Sequence, residues 1–267
     1  MGVEVALRDR LHPIPGSVPR LILRNGLMYD EPSEDVGFYT LKVLQRTIRY
    51  NRWLHGHFRT VLGRRILEIG SGIGNMTRLL LSAEKVTATD VSEKYLKELR
   101  LVLADYGHVD VRPLNAAREE DVAPLAGRFD TVVCLNVLEH IEDDAKALAN
   151  MRRVLEPGGR LVLLVPARPN LFCDIDRDLG HFRRYEERAL WKSLEEAGFE
   201  VEWSRRLNFV ASLGWWFNGK VLRRKKLSRA QVKWFDRALH WTLDFDPLLT
   251  PLGYLSLLVV ARNRSNV

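Results

Sequence analysis

Cysteine and long apolar runs are both scarce in this chain, and each shortage narrows what it can be. The two cysteines, Cys134 and Cys173, are too few and too isolated for a disulfide framework or a zinc site, so a reducing compartment is the expectation. No apolar run approaches membrane-spanning length; Leu255 to Ala261 comes nearest. Glu4, Arg8, Asp9 and Arg10 interrupt any signal-peptide pattern, and Ala6 stands where myristoylation wants Ser or Thr. The acidic stretches Glu142 to Asp144 and Asp174 to Asp178 lack companion ligands at metal-binding spacing, so they read as solvated or arginine-paired and no metal is expected. The expected location is cytoplasmic, with membrane association left open by the charge pattern described below.

What the chain does have is 267 residues, enough for one α/β domain and an appendage, and a formal charge of +7. Such a charge invites anionic partners, but only its distribution can say which. Residues 1–37, with Pro13, Pro15, Pro19 and Pro32, read as an arm or lid. From Phe38 to about Leu62 the pattern turns helical, and Tyr39, Tyr50 and Asn51 either line a cover over a ligand or, the plainer reading, pack this helix on a sheet.

Arg65 to Asn75, Arg-Ile-Leu-Glu-Ile-Gly-Ser-Gly-Ile-Gly-Asn, organises the rest. Ile66, Leu67 and Ile69 make a short buried strand, and Gly70, Gly72 and Gly74 let the backbone turn sharply and approach a ligand. A helix opening at Asn75 would turn its free N–H groups toward that ligand. Lys85 to Asp90 reads as the second strand, ending in a carboxylate about twenty residues beyond the glycines, the offset at which such a group bonds ribose hydroxyls. An ionised Asp only accepts hydrogen bonds, so it suits a vicinal diol; Ser92 is the better helix cap.

Ser92 to Ala104 reads as a helix and Val109 to Leu114 as the third strand, followed by Asn115 and Ala116. Phe129 to Leu135 is a nearly continuous apolar run, as in a strand covered on both faces, and it delivers Asn136-Val-Leu-Glu-His140 at its carboxyl end. Helix Asp144 to Leu155, the turn Glu156 to Gly159 and strand Arg160 to Val165 continue an alternation that predicts a doubly wound parallel sheet.

Glu68-x-Gly70-x-Gly72-x-Gly74, Asp90, Leu-Asn-Val-Leu-Glu-His-Ile and Glu-Pro-Gly-Gly stand in the order and spacing of class I S-adenosylmethionine-dependent methyltransferases. The chain resembles in particular the type 11/12 methyltransferase-domain group, which includes quinone-biosynthesis enzymes, over roughly residues 40 to 205. The resemblance implies a Rossmann-like, mostly parallel seven-stranded sheet whose last strand is antiparallel, with Phe199 to Arg205 and Leu255 to Arg262 as strands six and seven. It implies S-adenosylmethionine as cofactor and S-adenosylhomocysteine as product. The cofactor residues are then Glu68, Gly70, Ser71, Gly72, Gly74 and Asn75 at the turn, with Asp90 and Val91 beside them. Asn115 and Ala116 would meet the adenine, although the family usually presents an acidic residue there, and Asn136 with Val137 would complete the pocket. A nicotinamide oxidoreductase is the weaker fit, because its fingerprint wants glycine where Asn75 stands. A binding module without turnover is the other alternative.

Methyl transfer from a sulfonium is an in-line displacement, so the protein aligns the reactants, excludes water and, where needed, removes a proton. His140 offers a pKa near neutrality, although the resemblance suggests that it supports its loop. The segment Pro166 to Tyr185 is long and aperiodic, as functional loops often are. In it His181 and Tyr185 are further base candidates, while Arg183 and Arg184 would hold an anionic group of the acceptor, unless they pair with Asp174, Asp176 or Asp178.

Between strands six and seven, residues 207–252 form an insertion, leaving 38–206 as the core and 253–267 as the closing strand. It carries Trp215, Trp216, Phe217, Trp234, Phe235, Trp241 and Phe245 among eight lysines and arginines, and its spacing fits helices over 209–222 and 228–243. Its aromatics, Trp215 and Trp216 among them, form a roof over a small-molecule or lipid-like acceptor, or meet an anionic membrane surface. Nucleic acid is disfavoured as partner, since no Asn-Pro-Pro-Tyr-like sequence follows strand four. The acceptor and the oligomeric state are not written in the sequence.

Overall fold

The computed structural model describes residues 48–217 and 245–264. The expected arm, Tyr39, the start of the first helix, and most of the insertion, including Trp234, Phe235 and Trp241, lie outside the described residues.

Seven strands make one sheet: β1 (Arg65–Ile69), β2 (Lys85–Asp90), β3 (Val109–Pro113), β4 (Phe129–Leu135), β5 (Leu155–Pro166), β6 (Phe199–Leu207) and β7 (Ser256–Asn263). Their order is β3-β2-β1-β4-β5-β7-β6, with β1 to β5 parallel and β7 antiparallel to both neighbours. This is the doubly wound, mostly parallel sheet that the alternating pattern predicts. It forms because the central strands are apolar on both faces. Val132, Leu161, Leu163 and Val259 pack on one side against Leu148 and Met151 of helix α5 (Asp144–Val154) and Leu190 and Leu194 of α7 (Glu187–Glu196). Val133, Val162, Leu164 and Val260 pack on the other against Leu54 and Phe58 of α1 (Ile48–Phe58) and Leu80 of α2 (Thr77–Leu80). Each such buried side chain contributes on the order of 1.5–3 kcal/mol, so the sheet centre is the rigid platform on which the strand ends are held.

Helix α3 (Glu93–Leu103) buries Leu96, Leu99 and Leu103, one helical face, against Ala88 of β2. Helices α4 (Glu119–Val122) and α6 (Asp174–Asp178) are short. Beyond β6, α8 (Phe209–Trp216) begins where the insertion helix was expected. Its first N–H groups are satisfied from far along the chain: Asp246 of α9 (Asp246–Leu249) accepts from the backbone of Asn208 and Phe209, both at 2.8 Å.

Three expectations shift. The helix after the glycine turn is a single turn, Thr77–Leu80, rather than one opening at Asn75, because Gly74 at φ 84° carries the chain off the helical path. Its dipole is correspondingly small. β5 starts at Leu155 rather than Arg160: Phe129 pairs with Leu155, the next pair is Thr131 with Arg160, and Glu156 to Gly159 bulge between them with Gly158 at φ 79°. The segment Pro166 to Tyr185 is not featureless, since it contains a 3-10 turn over Pro169–Leu171 and α6.

Candidate functional site

The carboxyl ends of β1, β2 and β4 meet at one edge. Gly70 has φ 74° and Gly72 φ 56°, left-handed values that glycine adopts without strain. A side chain at Gly70 would also run into Val137, whose Cγ2 would lie 2.2 Å from the added Cβ, so the loop after β4 packs directly on the turn after β1. Ser71 is locked between the strands: its N–H donates to the Thr89 carbonyl at 2.8 Å, and its hydroxyl accepts from the Thr89 N–H at 3.1 Å.

Two carboxylates face this turn. Glu68 is 4% exposed, and its Oε2 accepts from the Thr77 hydroxyl at 2.5 Å; burial pushes its carboxyl up to about 7. Asp90 is 7% exposed, with Oδ2 accepting from Gly72 N–H and Oδ1 from Ser92 N–H, both at 2.9 Å. Burial raises its pKa too, against those backbone donors. Each oxygen keeps a further lone pair for a ligand hydroxyl. Asp90 thus also serves the start of α3, whereas Ser92 stands at the N-cap position without a side-chain cap bond.

Val91 next to it is 72% exposed, an aliphatic surface beside the carboxylate. Asn115 is held in a local turn: its Oδ1 accepts from Ala117 N–H at 2.9 Å and its N–H donates to Asp121 at 2.8 Å. The Ala116 carbonyl accepts from the Asn150 amide at 2.8 Å. Asn136 is exposed and left-handed at φ 53°, tied to β5 by its N–H on the Leu164 carbonyl. Asn75 is half-buried at the far end of the turn.

On the other side of the β4 end, the Pro166 to Tyr185 segment is organised by one buried acid that sequence reasoning had as no more than an arginine partner. Asp176 is fully buried; its Oδ1 accepts from Arg184 Nε at 2.8 Å and lies 3.1 Å from His181 Nδ1, and its Oδ2 accepts from the Cys173 N–H at 3.0 Å. These partners outweigh burial and hold its carboxyl below the usual range. Arg184 also donates to the Ala167 carbonyl at 3.1 Å and lies over the Trp215 ring, 4.8 Å from its centroid. Its charge is therefore already committed inside the protein. Trp216, by contrast, is 52% exposed.

Arg183 pairs with Asp144 at 2.9 Å and donates to the Glu142 carbonyl at 2.6 Å. The Tyr185 hydroxyl donates to Asp144 Oδ2 at 3.0 Å, and burial together with that carboxylate drives its pKa far above the ordinary phenol value. His140 and His181 stand edge to face with ring centroids 4.7 Å apart; burial and the neighbouring His181 push His140 down to about 4. Glu139, missed as a site residue, is fully buried, with its Oε1 4.0 Å from His181 Nε2. The only sequence signal for it was its place beside His140, because Asp176 and His181 reach it from a distant part of the chain.

The plainer reading of Tyr50 fits what is seen: it packs on the α1 side of the sheet, and its hydroxyl accepts from the Asn208 amide at 3.0 Å.

Comparison with known proteins fits this architecture. Residues 67–161 match the family model described as a methyltransferase domain. A ubiquinone biosynthesis O-methyltransferase of Aromatoleum aromaticum is 40% identical over 101 residues, 37% of this chain and 42% of that one. The enzyme of the same name from Pseudomonas aeruginosa is 31% identical over 157 residues, 52% of this chain and 66% of that one. The chain thus spans about two fifths to two thirds of these relatives' lengths. Among solved structures, Haemonchus contortus phosphoethanolamine N-methyltransferase 2 superposes with a TM-score of 0.60 over 87% of this chain and 59% of that one at 16% identity. YcgJ of Bacillus subtilis superposes with a TM-score of 0.56 over 81% of this chain and all of that one at 14% identity. The chain therefore carries a methyltransferase domain over residues 67–161, set in a seven-stranded sheet whose fold is shared with solved methyltransferases.

Proposed function

We propose that the chain transfers a methyl group from S-adenosylmethionine to a small hydroxylated or lipid-like acceptor. The observation that carries this reading is the convergence of the left-handed glycine turn, the buried Asp90 carboxylate and the β4-end loop at one sheet edge.

The residues present fit that cofactor. Asp90 accepts from the ribose hydroxyls, and exposed Val91 offers an apolar face to the adenine. Glu68 sits buried beside the turn with no basic side chain among its hydrogen-bond partners, so a ligand ammonium would restore its charge. Asn115 and Ala116, both engaged with other backbone or amide groups, set the shape of the adenine end more than its hydrogen bonding. When bound, the cofactor supplies a methyl group already activated by the sulfonium charge. The chain's part is to align the acceptor, keep water away and take a proton from it.

For that proton the histidine pair is the better candidate than Tyr185, whose phenol is a donor to Asp144 and is pushed far above the ordinary phenol value by burial and that carboxylate. Asp176 can only accept, so it fixes the proton of His181 on Nδ1 and leaves Nε2 with a free lone pair. Arg183, half-buried at the rim, is the better placed of the two arginines to meet an acceptor anion; Arg184 and Trp215 build the wall behind it. Incubating the purified chain with labelled S-adenosylmethionine and extracts of the producing cell tests this reading: a labelled small organic product and S-adenosylhomocysteine are expected, and binding without turnover on any fraction would leave only a cofactor-binding module.

The lipid-like option has a specific support. Trp216, Phe217, Leu248 and Leu252 are exposed on or next to α8 and α9, at the two ends of the basic segment read from the sequence. Among the described residues no helix is long and apolar enough to cross a membrane, so contact would be peripheral. Sedimentation with anionic vesicles at low salt checks it, with recovery in the pellet expected and recovery in the supernatant counting against it.

A further inference from the structure

Glu139 poses a problem that methyl transfer alone does not solve. Its side chain is fully buried, yet neither carboxylate oxygen has a hydrogen-bond partner. Burying an acid in this way is costly, and burial pushes its carboxyl up to about 8. Holding a proton does not resolve the problem: the nearest basic atom, His181 Nε2, is 4.0 Å away, too far for the acid to donate to it.

The surroundings supply an answer. His181 has Nδ1 on the buried Asp176 carboxylate, which turns Nε2 toward Glu139. His140 is hydrogen-bonded to the backbone of Gly180, and one of its ring nitrogens lies close to Glu139 and His181. One donor atom from each of Glu139, His140 and His181 lies within 4.8 Å of the others. Histidines that ligate metals characteristically anchor the second nitrogen on a carboxylate or a backbone carbonyl, which fixes the ring and its tautomer. We infer that Glu139, His140 and His181 form a binding site for a divalent transition-metal cation.

Two imidazoles and one carboxylate favour a zinc-like ion over magnesium, which prefers an all-oxygen shell. With metal–ligand distances of about 2.0–2.2 Å, the three donors need to draw together by roughly an ångström at most, a side-chain rotation. Glu139 and His181 close the inner side, while exposed His140 leaves the outer side open, the arrangement of a site that keeps a position for an exchangeable ligand. Val137, which packs on Gly70, lies two positions before Glu139, so the cation stands at the same sheet edge as the glycine turn. Resting on the methyltransferase reading, the consequence is that with the cation bound the two imidazoles serve as ligands in place of the base, an acceptor hydroxyl on the cation would lose its proton to solvent near neutral pH, and the acceptor is then an oxygen nucleophile.

The test needs neither cofactor nor acceptor, so its failure leaves the methyltransferase reading standing. Untagged full-length chain, stripped with a chelator, is dialysed against zinc at pH 7.5. One ion per chain is expected, with affinity falling at least tenfold in His140→Ala, an exposed position, and in Glu139→Gln, each checked for native circular dichroism. His108→Ala, whose ring bonds the Leu81 carbonyl elsewhere, should leave the affinity unchanged. Absence of saturable one-to-one binding, or affinity undiminished in His140→Ala, or an equal loss in His108→Ala, overturns the site.

Discussion

The turn after β1 and the segment from Pro166 to Tyr185 flank the same sheet edge but are held by different physics. The turn is built from backbone: left-handed glycines, strand-to-strand N–H bonds to Thr89, and carboxylates that mostly accept from main chain or hydroxyl. The segment is built from buried charge, with Asp176 binding Arg184 and His181 at once, and Asp144 binding Arg183 and Tyr185. The first arrangement suits a constant ligand, since backbone geometry changes little with neighbouring side chains. The second is a network whose members can be exchanged without moving the sheet, and it stands where different acceptors would have to be accommodated.

Breaking the charge network should show the largest effect. Asp176→Ala removes the carboxylate on which Arg184 is held inside the protein, and removing one partner of a buried pair costs about 3–5 kcal/mol; urea unfolding should show a midpoint lowered accordingly. A loss below about 1 kcal/mol would mean that the pair behaves like a surface one.

The turn predicts a pH effect of opposite character. The Glu68 carboxyl is raised from 4.5 to about 7 in the fold, so the folded chain binds more protons than the unfolded chain between those values, and stability falls as pH rises through that window. In Glu68→Gln that loss is absent. Without cofactor the variant should match the wild type below about pH 4.5 and exceed it above pH 7 by up to about 3 kcal/mol, while binding S-adenosylhomocysteine less tightly. Equal pH profiles for the two proteins would contradict the assignment.

Smaller still is Tyr185→Phe. It removes one partly buried hydrogen bond to Asp144 and should lower stability by about 1 kcal/mol. If the phenol is not the base, turnover on the identified acceptor changes little; abolished turnover with an intact fold would restore Tyr185 to that role.

The contrast also explains what the sequence made legible. The strands β1 and β4 announced themselves because burial on both faces forces short apolar runs, β2 through its alternating β-branched residues, and the glycine turn because few other residues tolerate its dihedral angles. Asp90 followed from its offset. The helix after the turn was overdrawn because a left-handed Gly74 is invisible to helical periodicity, and the start of β5 was misplaced because Glu-Pro-Gly-Gly reads as a turn although it bulges within the strand. The charge network was out of reach for another reason: pairing of Asp176 with Arg184 and His181 is decided by how a short helix and a 3-10 turn fold back on the sheet edge, which no local pattern encodes. Thus Asp174, Asp176 and Asp178 looked equivalent, and only Asp176 is buried among charges.

Calorimetric titration of S-adenosylhomocysteine into the wild-type chain and into Asp90→Asn tests the account most directly. One-to-one binding is expected for the wild type, with affinity reduced roughly 10- to 100-fold in the variant, the range set by loss of hydrogen bonds to a charged acceptor. A well-folded wild-type chain that releases no heat with this ligand and shows no thermal stabilisation by it would contradict the assignment of the site.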